Sequence, residues 1–526
     1  MHAITVRRFA DRSADARVVA IVGAMAERTD VAIIGSGFSG ICMAMLLKRA
    51  GRDDFVILEK ADDVGGTWRD NTYPGCACDV PSHLYSLSFR LNPHWSRLFS
   101  GRDEIWDYLR SCVATYGLEP HLRLGARVTG ARFDETAGRW GVDVAGAAGF
   151  DCRVLVSGVG ALHEPHIPDL PGLSTFSGTV FHSASWRHAC TLEGQRVAVI
   201  GTGASAAQLV PEIAPRVRQL DLYQRTAAWI TPRSDVAIPA RAQRLLARRP
   251  GVHRALRDAI YWALELRGLG FTLTPKAMRL RERQARRHLA RQISDPELRS
   301  RLTPDYQMGC KRVLLSDDFY PSLLRDNVEL VTDQITAVTP DGLRAGDGTE
   351  RAADVIIVAT GFDVSAGLTR MPVVGRNGQA LTRAWSRDGV GAHLGITVAG
   401  FPNLFLLLGP NTGLGHQSVL FMIEAQARYV LQALDLLDET ASDTIEVLAD
   451  IQQRFVQRIQ ARLSTSVWQS GCRSWYQDAN GRNIAIWPYA TWRYWLQTRR
   501  LDPRDFRLTP SRHSVGQTAA MNPSRS

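Results

Sequence analysis

Short apolar runs in this chain lead directly into glycine-rich turns, and this happens twice. The apolar run at 30–34 is followed by the glycine-rich segment 35–40 and then by a helical run at 41–49. A second apolar run at 196–200 is followed by the segment 201–206 in the same way. A strand, a tight turn and a helix in this order begin a βαβ unit that binds a dinucleotide. The pattern therefore predicts two nucleotide-binding domains.

The first glycine-rich turn predicts a flavin site. In Gly35-Ser-Gly37-Phe-Ser-Gly40 the first glycine makes the turn, the second lets the backbone approach a pyrophosphate, and the third lets the helix pack on the strand. The next apolar run, at 55–58, leads to Glu59. A carboxylate there can accept hydrogen bonds from a ribose diol and would repel a 2′-phosphate. The site therefore suits FAD or NAD and not NADP.

The second turn predicts a different nucleotide. It has alanine as its third small residue, and the strand after it, at 220–224, ends on Arg225 and Thr226 instead of on an acid. A guanidinium and a hydroxyl suit a 2′-phosphate, which makes NADPH the expected ligand. The alternative is that Arg225 is one more surface arginine in an arginine-rich chain.

A third strand-like run, at 354–362, resembles the segment by which two-nucleotide flavoproteins return from the nicotinamide domain to the flavin domain. The predicted fold class is α/β, with two Rossmann-like three-layer dinucleotide-binding domains, for FAD and NADPH, and a helical insertion. The insertion is expected to lie over the active site, and the alternative is a membrane-surface element. The predicted parts are a disordered N-terminal extension at 1–29, a first FAD-binding part at 30–170, an NADPH-binding domain at 171–350 with the helical insertion at about 238–301, a second FAD-binding part at 351–509, and a disordered tail at 510–526.

The composition narrows the class of protein. The chain has 526 residues, of which 45% are hydrophobic, so it can form two or three domains with proper cores. Its formal net charge of +11 comes almost wholly from arginine, and no helix-turn-helix pattern or zinc-ligand spacing accompanies it, so nucleic-acid binding is not expected. The eight cysteines are scattered and are expected to be reduced thiols in a cytoplasmic protein. No apolar run predicts a membrane span.

Two longer motifs carry a more specific signal. The segment Phe176–Trp186 has the pattern F-x-G-x-x-x-H-x-x-x-W and lies just before the second glycine-rich turn. The segment 65–79 reads GGTWRDNTYPGCACD. Together they resemble the two signatures of Baeyer-Villiger monooxygenases, flavoenzymes that insert one atom of O2 beside a ketone carbonyl. Arg187 departs from the family pattern, which often continues with proline or aspartate.

This resemblance covers about residues 30 to 500. It implies an FAD- and NADPH-dependent monooxygenase that converts a hydrophobic ketone to an ester or lactone with O2, through a C4a-peroxyflavin. By the same resemblance Arg312 is the active-site arginine and Lys311 a contact for the 2′-phosphate. A guanidinium stabilises developing negative charge without losing its proton, and Asp79 would orient it. Arg312 and Asp79 are thus the predicted catalytic pair, and the expected oligomeric state is a monomer or weak homodimer.

Further cofactor contacts follow from the resemblance. The segment 408–413 resembles a flavin-contacting loop, and Trp475 lies in a segment that resembles the mobile control loop, although a packed surface tryptophan is the alternative. We expect a structural or motion-coupling role for His182, because no proton abstraction in this reaction requires it. The predicted cofactor contacts are Gly35, Gly37, Phe38, Gly40, Glu59, Lys60, Gly66, Thr67, Trp68, Tyr73, Asp79, Val80, Tyr85, Gly201, Gly203, Ala204, Ser205, Arg225, Thr226, Lys311, Arg312, Gly409, Asn411 and Trp475.

Three other classes of protein are compatible with two nucleotide turns. A sister flavin monooxygenase would oxidise nitrogen or sulfur in a soft nucleophile, and the Asp79 and Arg312 pair argues against it. A disulfide reductase would need a cysteine pair beside the flavin, but Cys76 and Cys78 are separated by one residue instead of two. A non-catalytic flavin-binding redox sensor is the third.

Overall fold

The computed structural model describes residues 26–272, 278–364 and 369–511, so most of the predicted N-terminal extension and tail lie outside the described residues. The first strand begins at Glu27 rather than at Asp30. The strands are β1 Glu27–Ile34, β2 Phe55–Leu58, β3 Leu122–Arg123, β4 Val128–Asp134, β5 Arg139–Val144, β6 Phe150–Ser157, β7 Thr179–His182, β8 Arg196–Ile200, β9 Gln219–Tyr223, β10 Ile230–Thr231, β11 Leu314–Leu315, β12 Val328–Val331, β13 Ile335–Thr339, β14 Gly342–Ala345, β15 Glu350–Ala352, β16 Val355–Val358, β17 Val373–Val374, β18 Leu404–Leu406, β19 Ser442–Val447 and β20 Phe506–Pro510. The α-helices are α1 Phe38–Arg49, α2 Thr67–Asp70, α3 Arg102–Tyr116, α4 Ala204–Ile213, α5 Ala240–Arg248, α6 Pro250–Thr272, α7 Met278–Gln292, α8 Pro296–Arg301, α9 Phe319–Ser322, α10 Leu381–Asp388, α11 Val419–Glu439, α12 Ala449–Ser464 and α13 Thr491–Thr498.

The first sheet has eight strands in the order β17-β4-β5-β6-β1-β2-β3, and β18 also pairs with β6. β1 lies between two parallel neighbours, with Val31 opposite Phe55 of β2 and Val154 of β6. Alternate residues of β1 face opposite sides of the sheet: Ile33 lies in a core shared with α1, whereas Ala32 lies in a second core shared with α10. Both faces are therefore covered, which explains why the second half of β1, at 31–34, is a continuous apolar run.

The second sheet has five parallel strands in the order β12-β9-β8-β16-β7. β8 and β9 flank α4, so they form the βαβ unit of the second glycine-rich turn. β16, which is the third strand-like run of the sequence, lies between β8 and β7 in this sheet. The chain then joins the first sheet at β17. The Phe176–Trp186 motif supplies the edge strand β7, where Val358 of β16 lies opposite His182.

A helical region of α5, α6, α7 and α8 connects β10 to β11. These two short strands pair in parallel, with Ile230 opposite Leu314. The pairing brings both ends of the helical region together, and it fixes the backbone that directly follows Arg312. The predicted catalytic arginine therefore sits where the helical region rejoins the second domain.

The expectation that all eight cysteines are reduced is wrong for one pair. Cys310 and Cys472 form a disulfide, with their Cα atoms 6.1 Å apart. The other six cysteines are free, and five of these are buried. The two bonded cysteines are 162 residues apart in the sequence, so their spacing does not indicate that they form a disulfide.

The described residues contain neither a helix that could span a membrane nor a cluster that could bind a metal ion. None of the helices in 26–272, 278–364 and 369–511 combines the length and apolar character that crossing a bilayer requires. α6 spans 23 residues but carries charged side chains along its length, including Arg254, Asp258 and Arg267. The same ranges hold no group of three or more His, Cys, Asp or Glu side chains arranged to bind a metal ion.

Candidate active site

A cavity of about 1320 Å³ lies between the eight-stranded mixed sheet and the five-stranded parallel sheet. It is lined by the segments that follow β1, β6, β8, β16 and β18. Ligands of open α/β sheets bind at the carboxyl ends of the strands, so this is the expected position for a nucleotide site. Except for Gly40 and Asn411, every predicted catalytic or cofactor-contacting residue lines the cavity. The two glycine-rich turns and the Lys311–Arg312 pair therefore share one space.

The first glycine-rich turn joins β1 to α1 at the cavity wall. Gly35 has a φ of +94°, and a Cβ there would lie 2.8 Å from the carbonyl oxygen of Gly158, so the turn requires glycine. A Cβ on Gly40 would overlap the carbonyl oxygen of Gly35. Gly40 therefore lets α1 pack closely on β1, and it lies behind the cavity wall instead of in it.

Glu59 follows β2 and is buried. Its carboxylate accepts hydrogen bonds from the backbone N–H and hydroxyl of Ser36, at 2.9 and 2.7 Å, and from the backbone N–H of Ala61 at 3.0 Å. Arg69 Nη1 lies 3.2 Å from Oε1. Burial alone would raise the pKa of Glu59, but these hydrogen bonds and the charge of Arg69 lower it, which keeps the carboxylate ionised. Ser36 and Arg69 were missed from the sequence because neither residue type is distinctive where it stands.

The second glycine-rich turn joins β8 to α4 with similar geometry. Gly201 has a φ of +110°, and a Cβ there would lie 2.6 Å from the carbonyl oxygen of Ala359. A Cβ on Gly203, which precedes α4, would meet no described atom within 4 Å beyond its chain neighbours. The hydroxyl of Thr202 donates to the carbonyl oxygen of Thr226 at 2.9 Å. The N-terminus of α4 and the end of β9 therefore meet beside open space.

Two cations from distant parts of the chain meet near the second turn. Arg225 follows β9, Lys311 precedes β11, and both line the cavity. The Lys311 ammonium lies 4.8 Å from the ring centroid of Tyr306. Burial lowers the pKa of Lys311, and the positive charge of Arg225 lowers it further. Two like charges that repel each other in one cavity form a site that an anion would stabilise.

Arg312 and Asp79 form an ion pair on the cavity wall. The Nε and Nη2 atoms of Arg312 both donate to Oδ2 of Asp79, at 2.9 and 2.5 Å. Both side chains are half-buried, and the charge of Asp79 raises the pKa of Arg312 further above its already high value. The arginine thus carries a permanent charge with a fixed orientation. The pair was predicted from motifs far apart in the sequence, and the structure brings the two residues together.

The segment 65–79 is attached to the second domain through Gln208 of α4. The hydroxyl of Tyr73 donates to Oε1 of Gln208 at 3.0 Å, and the Gln208 amide donates to the carbonyl oxygen of Ala77 at 2.9 Å. Within the segment's own domain, the Trp68 indole donates to the hydroxyl of Tyr85 at 3.1 Å. Gln208 was missed from the sequence because a glutamine on a helix is ordinary. It ties the wall that holds Asp79 to the second glycine-rich domain.

The segment predicted to be a control loop lies at the cavity mouth. Trp475 lines the cavity and is 41% exposed, whereas the neighbouring Tyr476 is buried. Burial raises the pKa of the Tyr476 hydroxyl to about 12, although the nearby charge of Arg312 opposes this shift. The disulfide of Cys472 ties the same segment to Cys310, two residues before Arg312. Tyr476 and the disulfide are both features that sequence reasoning missed.

His182 and Asn411, like Gly40, lie outside the cavity lining. His182 is buried at the end of β7, where its Nδ1 accepts a hydrogen bond from the backbone N–H of Ala184 at 3.1 Å and its ring packs edge-on against Phe362. The Asn411 amide donates to the carbonyl oxygen of Asn483 at 2.9 Å. Asn411 therefore holds the loop of Gly409 in place from behind, while Gly409 itself reaches the lining.

These features define a class of oxidoreductase in which two dinucleotides bind one cavity between two α/β domains. A family model described as Flavin-binding monooxygenase-like matches residues 28–249. A Baeyer-Villiger monooxygenase of Pseudomonas aeruginosa is 48% identical over 488 residues, which are 92% of this chain and 92% of that protein. The chain belongs to the Baeyer-Villiger monooxygenase family.

Solved structures agree with this assignment. The cyclohexanone monooxygenase from Rhodococcus sp. Phi1 bound to NADP+ has a TM-score of 0.84 at 27% identity, over 92% of this chain and 100% of that one. The complex of OTEMO with FAD and NADP has a TM-score of 0.82 at 27% identity, with the same coverage. The protein is therefore an FAD- and NADPH-dependent monooxygenase with the predicted α/β architecture.

The described residues fit both cofactors. The Gly35 turn, with the buried carboxylate of Glu59 beyond it, would hold FAD. The open space at Gly203 leaves room for a pyrophosphate at the N-terminus of α4, and the mutual repulsion of Arg225 and Lys311 would be relieved by a 2′-phosphate. One end of the cavity thus combines the Gly35 turn with the carboxylate of Glu59, which suits FAD. The other end has the cations Arg225 and Lys311, which suit NADPH.

Proposed function

We propose that this enzyme oxygenates a hydrophobic ketone with Arg312 and Asp79 as its catalytic pair. The overall reaction converts ketone, O2, NADPH and a proton to ester or lactone, NADP+ and water. The observation that carries this proposal is the ion pair between Arg312 and Asp79 on the wall of a cavity that also contains both glycine-rich turns. One oxygen atom enters the C–C bond beside the carbonyl, and the other leaves as water.

Arg312 acts by electrostatics. Asp79 occupies the edge of the guanidinium formed by Nε and Nη2, and the opposite edge can donate hydrogen bonds to a substrate oxygen. Negative charge develops on the ketone oxygen when the carbonyl carbon is attacked, and a preorganised cation stabilises that charge without reorganising. Because the pKa of Arg312 is raised further by Asp79, it remains charged at every working pH.

The other cavity residues position the cofactors and limit water. Bound FAD, once reduced by NADPH, supplies the activated oxygen for this reaction. Lys311 and Arg225 would bind the 2′-phosphate of NADPH, and Glu59 would hold the adenosine ribose of FAD. Trp475 lines the cavity and is partly exposed, and its indole would exclude water from the reacting atoms.

The lining favours an apolar ketone. Leu414, Leu420 and Ile423 face the cavity beside the loop of Gly409, and they would contact a hydrocarbon substrate. The working unit in this proposal is a monomer or weak homodimer. We place the enzyme in the cytoplasm, where NADPH is regenerated.

Oxygen labelling tests the proposed reaction. The enzyme is incubated with 18O2, regenerated NADPH and a panel of linear, cyclic and steroid-like ketones, and the products are analysed by mass spectrometry. We expect one 18O atom in each ester formed and an amount of ester that matches the NADPH consumed. Amines and sulfides form the control panel. Oxygenation of those compounds without ester formation from any ketone would overturn the proposal.

A further inference from the structure

Helix α6 buries ionisable side chains as well as apolar ones, which include Tyr261 and Phe271. Three ionisable side chains on it, His253, Arg257 and Glu265, are buried at 2%, 8% and 4% exposure. A helix on the surface of a globular protein normally buries its apolar side and exposes its charges. The burial of three ionisable groups on α6, while large apolar side chains on its other side stay exposed, therefore requires an explanation.

The outward side of α6 is apolar along most of its length. Five large apolar side chains at helical spacing form one stripe, which we call the α6 stripe, and extend over roughly 25 Å. They are Val252 at 46% exposure, Leu256 at 37%, Trp262 at 53%, Leu266 at 66% and Leu269 at 40%. The small side chains of Ala255, Ala259 and Ala263 lie exposed among them. A continuous exposed apolar surface of this kind marks a contact site.

The ionisable groups on the inward side of α6 fix its orientation, so the helix cannot rotate about its axis to bury the apolar stripe. His253 Nε2 lies 3.0 Å from Nδ1 of the buried His83, and Arg257 lies 3.9 Å from Glu424 of α11. Glu265 accepts hydrogen bonds from the backbone N–H and the hydroxyl of Thr491. Because these polar groups have partners inside the protein, rolling the helix would leave them unpaired. The fold thus holds the α6 stripe in solvent.

The helical region that carries the stripe has a strong excess of exposed positive charge. Among the described residues of 240–292, eleven arginines are exposed, and Asp258 is the one exposed acid. Arg254 and Arg267 lie at the two edges of the stripe. This excess of exposed arginines over acids favours the approach of an anionic surface.

A second group of exposed apolar side chains lies on α13, which contacts α6 through the hydrogen bonds of Thr491 to Glu265. Trp492, Trp495 and Leu496 of α13 are 38%, 44% and 45% exposed, at the helical spacing of one face. The arginine side chains of Arg493 and Arg499 lie over the rings of Trp492 and Trp495. Tryptophan with nearby arginine is the combination that side chains at a membrane–water interface adopt.

We propose that the α6 stripe docks the enzyme on the surface of an anionic lipid bilayer. A helix with leucine and tryptophan on one side and arginine beside them lies in the plane of the interface, with its apolar side in the acyl region and its cations at the lipid headgroups. The charges disfavour a second copy of this chain as the occupant, because an isologous contact would place one arginine-rich surface against another. Docking requires no membrane-spanning helix.

Vesicle co-sedimentation of the full chain, loaded with FAD and NADP+, tests the proposal. Vesicles of phosphatidylcholine with phosphatidylglycerol are compared with vesicles of phosphatidylcholine alone. We expect binding to the anionic vesicles, weaker binding to the neutral ones, loss of binding at high salt, and a blue shift of tryptophan emission on binding. The double variant W262Q/L266Q should lose at least about tenfold in vesicle affinity, and R254E/R267E should lose the preference for anionic lipid.

The matched control is L124Q/L324Q, which removes two exposed leucines at 45% and 50% exposure elsewhere on the surface. It should bind vesicles like the unmodified enzyme. Flavin content and NADPH oxidation in solution should be unchanged in every variant, which shows that each one folds. The proposal is overturned if the enzyme does not bind anionic vesicles, if W262Q/L266Q binds them unchanged, or if sedimentation velocity shows a dimer that W262Q/L266Q abolishes while vesicle binding is absent.

Discussion

Lys311 shows how a residue gains its chemistry from its neighbours. Lysine is rare in this arginine-rich chain, and the structure places Lys311 half-buried beside Arg225. The sequence could predict this pair because each residue follows a recognisable motif. It could not predict Ser36, Arg69 or Gln208, whose importance comes only from the groups they contact.

Removal of the Lys311 charge should weaken the use of NADPH specifically. A charge-assisted hydrogen bond contributes about 1.5–3 kcal/mol, so Lys311→Ala should lower kcat/KM for NADPH by roughly 10- to 100-fold. NADH, which lacks the 2′-phosphate, is the matched control substrate and should be affected much less. An equal loss for both nucleotides in steady-state assays would contradict the assigned contact.

The pH dependence of the same residue tests its environment. Because the pKa of Lys311 is lowered by burial and by Arg225, its charge is present at low pH and is lost as the pH rises through that lowered value. The value of kcat/KM for NADPH should therefore fall at alkaline pH, earlier than for an exposed lysine. Lys311→Arg keeps its charge and should remove this fall. A profile that is identical in both proteins would disprove the assignment.

At the scale of elements, the disulfide between Cys310 and Cys472 connects two segments of the site that belong to separate sequence motifs. Cys310 precedes Lys311 and Arg312, and Cys472 belongs to the segment of Trp475. The bond therefore limits how far the Trp475 segment can move from Arg312. A cytoplasmic location would expose this bond to thiol reductants.

Breaking the disulfide should uncouple NADPH oxidation from oxygenation. In Cys472→Ser, the Trp475 segment is free to move, water enters the cavity, and a larger fraction of the NADPH consumed should yield H2O2 instead of ester. Cys310→Ser should have the same effect, and the double variant should add nothing, because all three lack one bond. Cys190→Ser, which changes a free cysteine, is the control. Additive effects, or unchanged coupling, would show that the bond does not hold the Trp475 segment.

The elements differed in how well the sequence predicted them. The strands before both glycine-rich turns were predictable because an apolar run and a glycine-rich turn are local features. Strand β16 was recognised as a strand, but its position between β8 and β7 depends on pairing over long sequence distances. The sequence also could not predict that the apolar side of α6 is exposed, because helical periodicity does not reveal which side of a helix faces the protein.

At the scale of the whole molecule, the sequence predicted the family, the fold class and both cofactors. It did so because the two signatures and the two glycine-rich turns have fixed local spacing. The sequence did not predict the contacts that join the walls of the cavity. The bridge from Tyr73 to Gln208 and the disulfide from Cys310 to Cys472 join residues far apart in the chain, and only the folded structure brings them together.

The central claim is that Arg312, oriented by Asp79, is needed for oxygen insertion and not for flavin reduction. The most direct measurement compares Arg312→Ala with the unmodified enzyme in two assays: anaerobic reduction of the flavin by NADPH, and ester formation in air. We predict flavin reduction at a nearly unchanged rate and a loss of ester formation of at least about 10²- to 10³-fold, with the NADPH electrons appearing as H2O2. Asp79→Asn, which keeps an acceptor but loses the charge, should fall between the two proteins. Ester formation by Arg312→Ala at the unmodified rate would contradict the account.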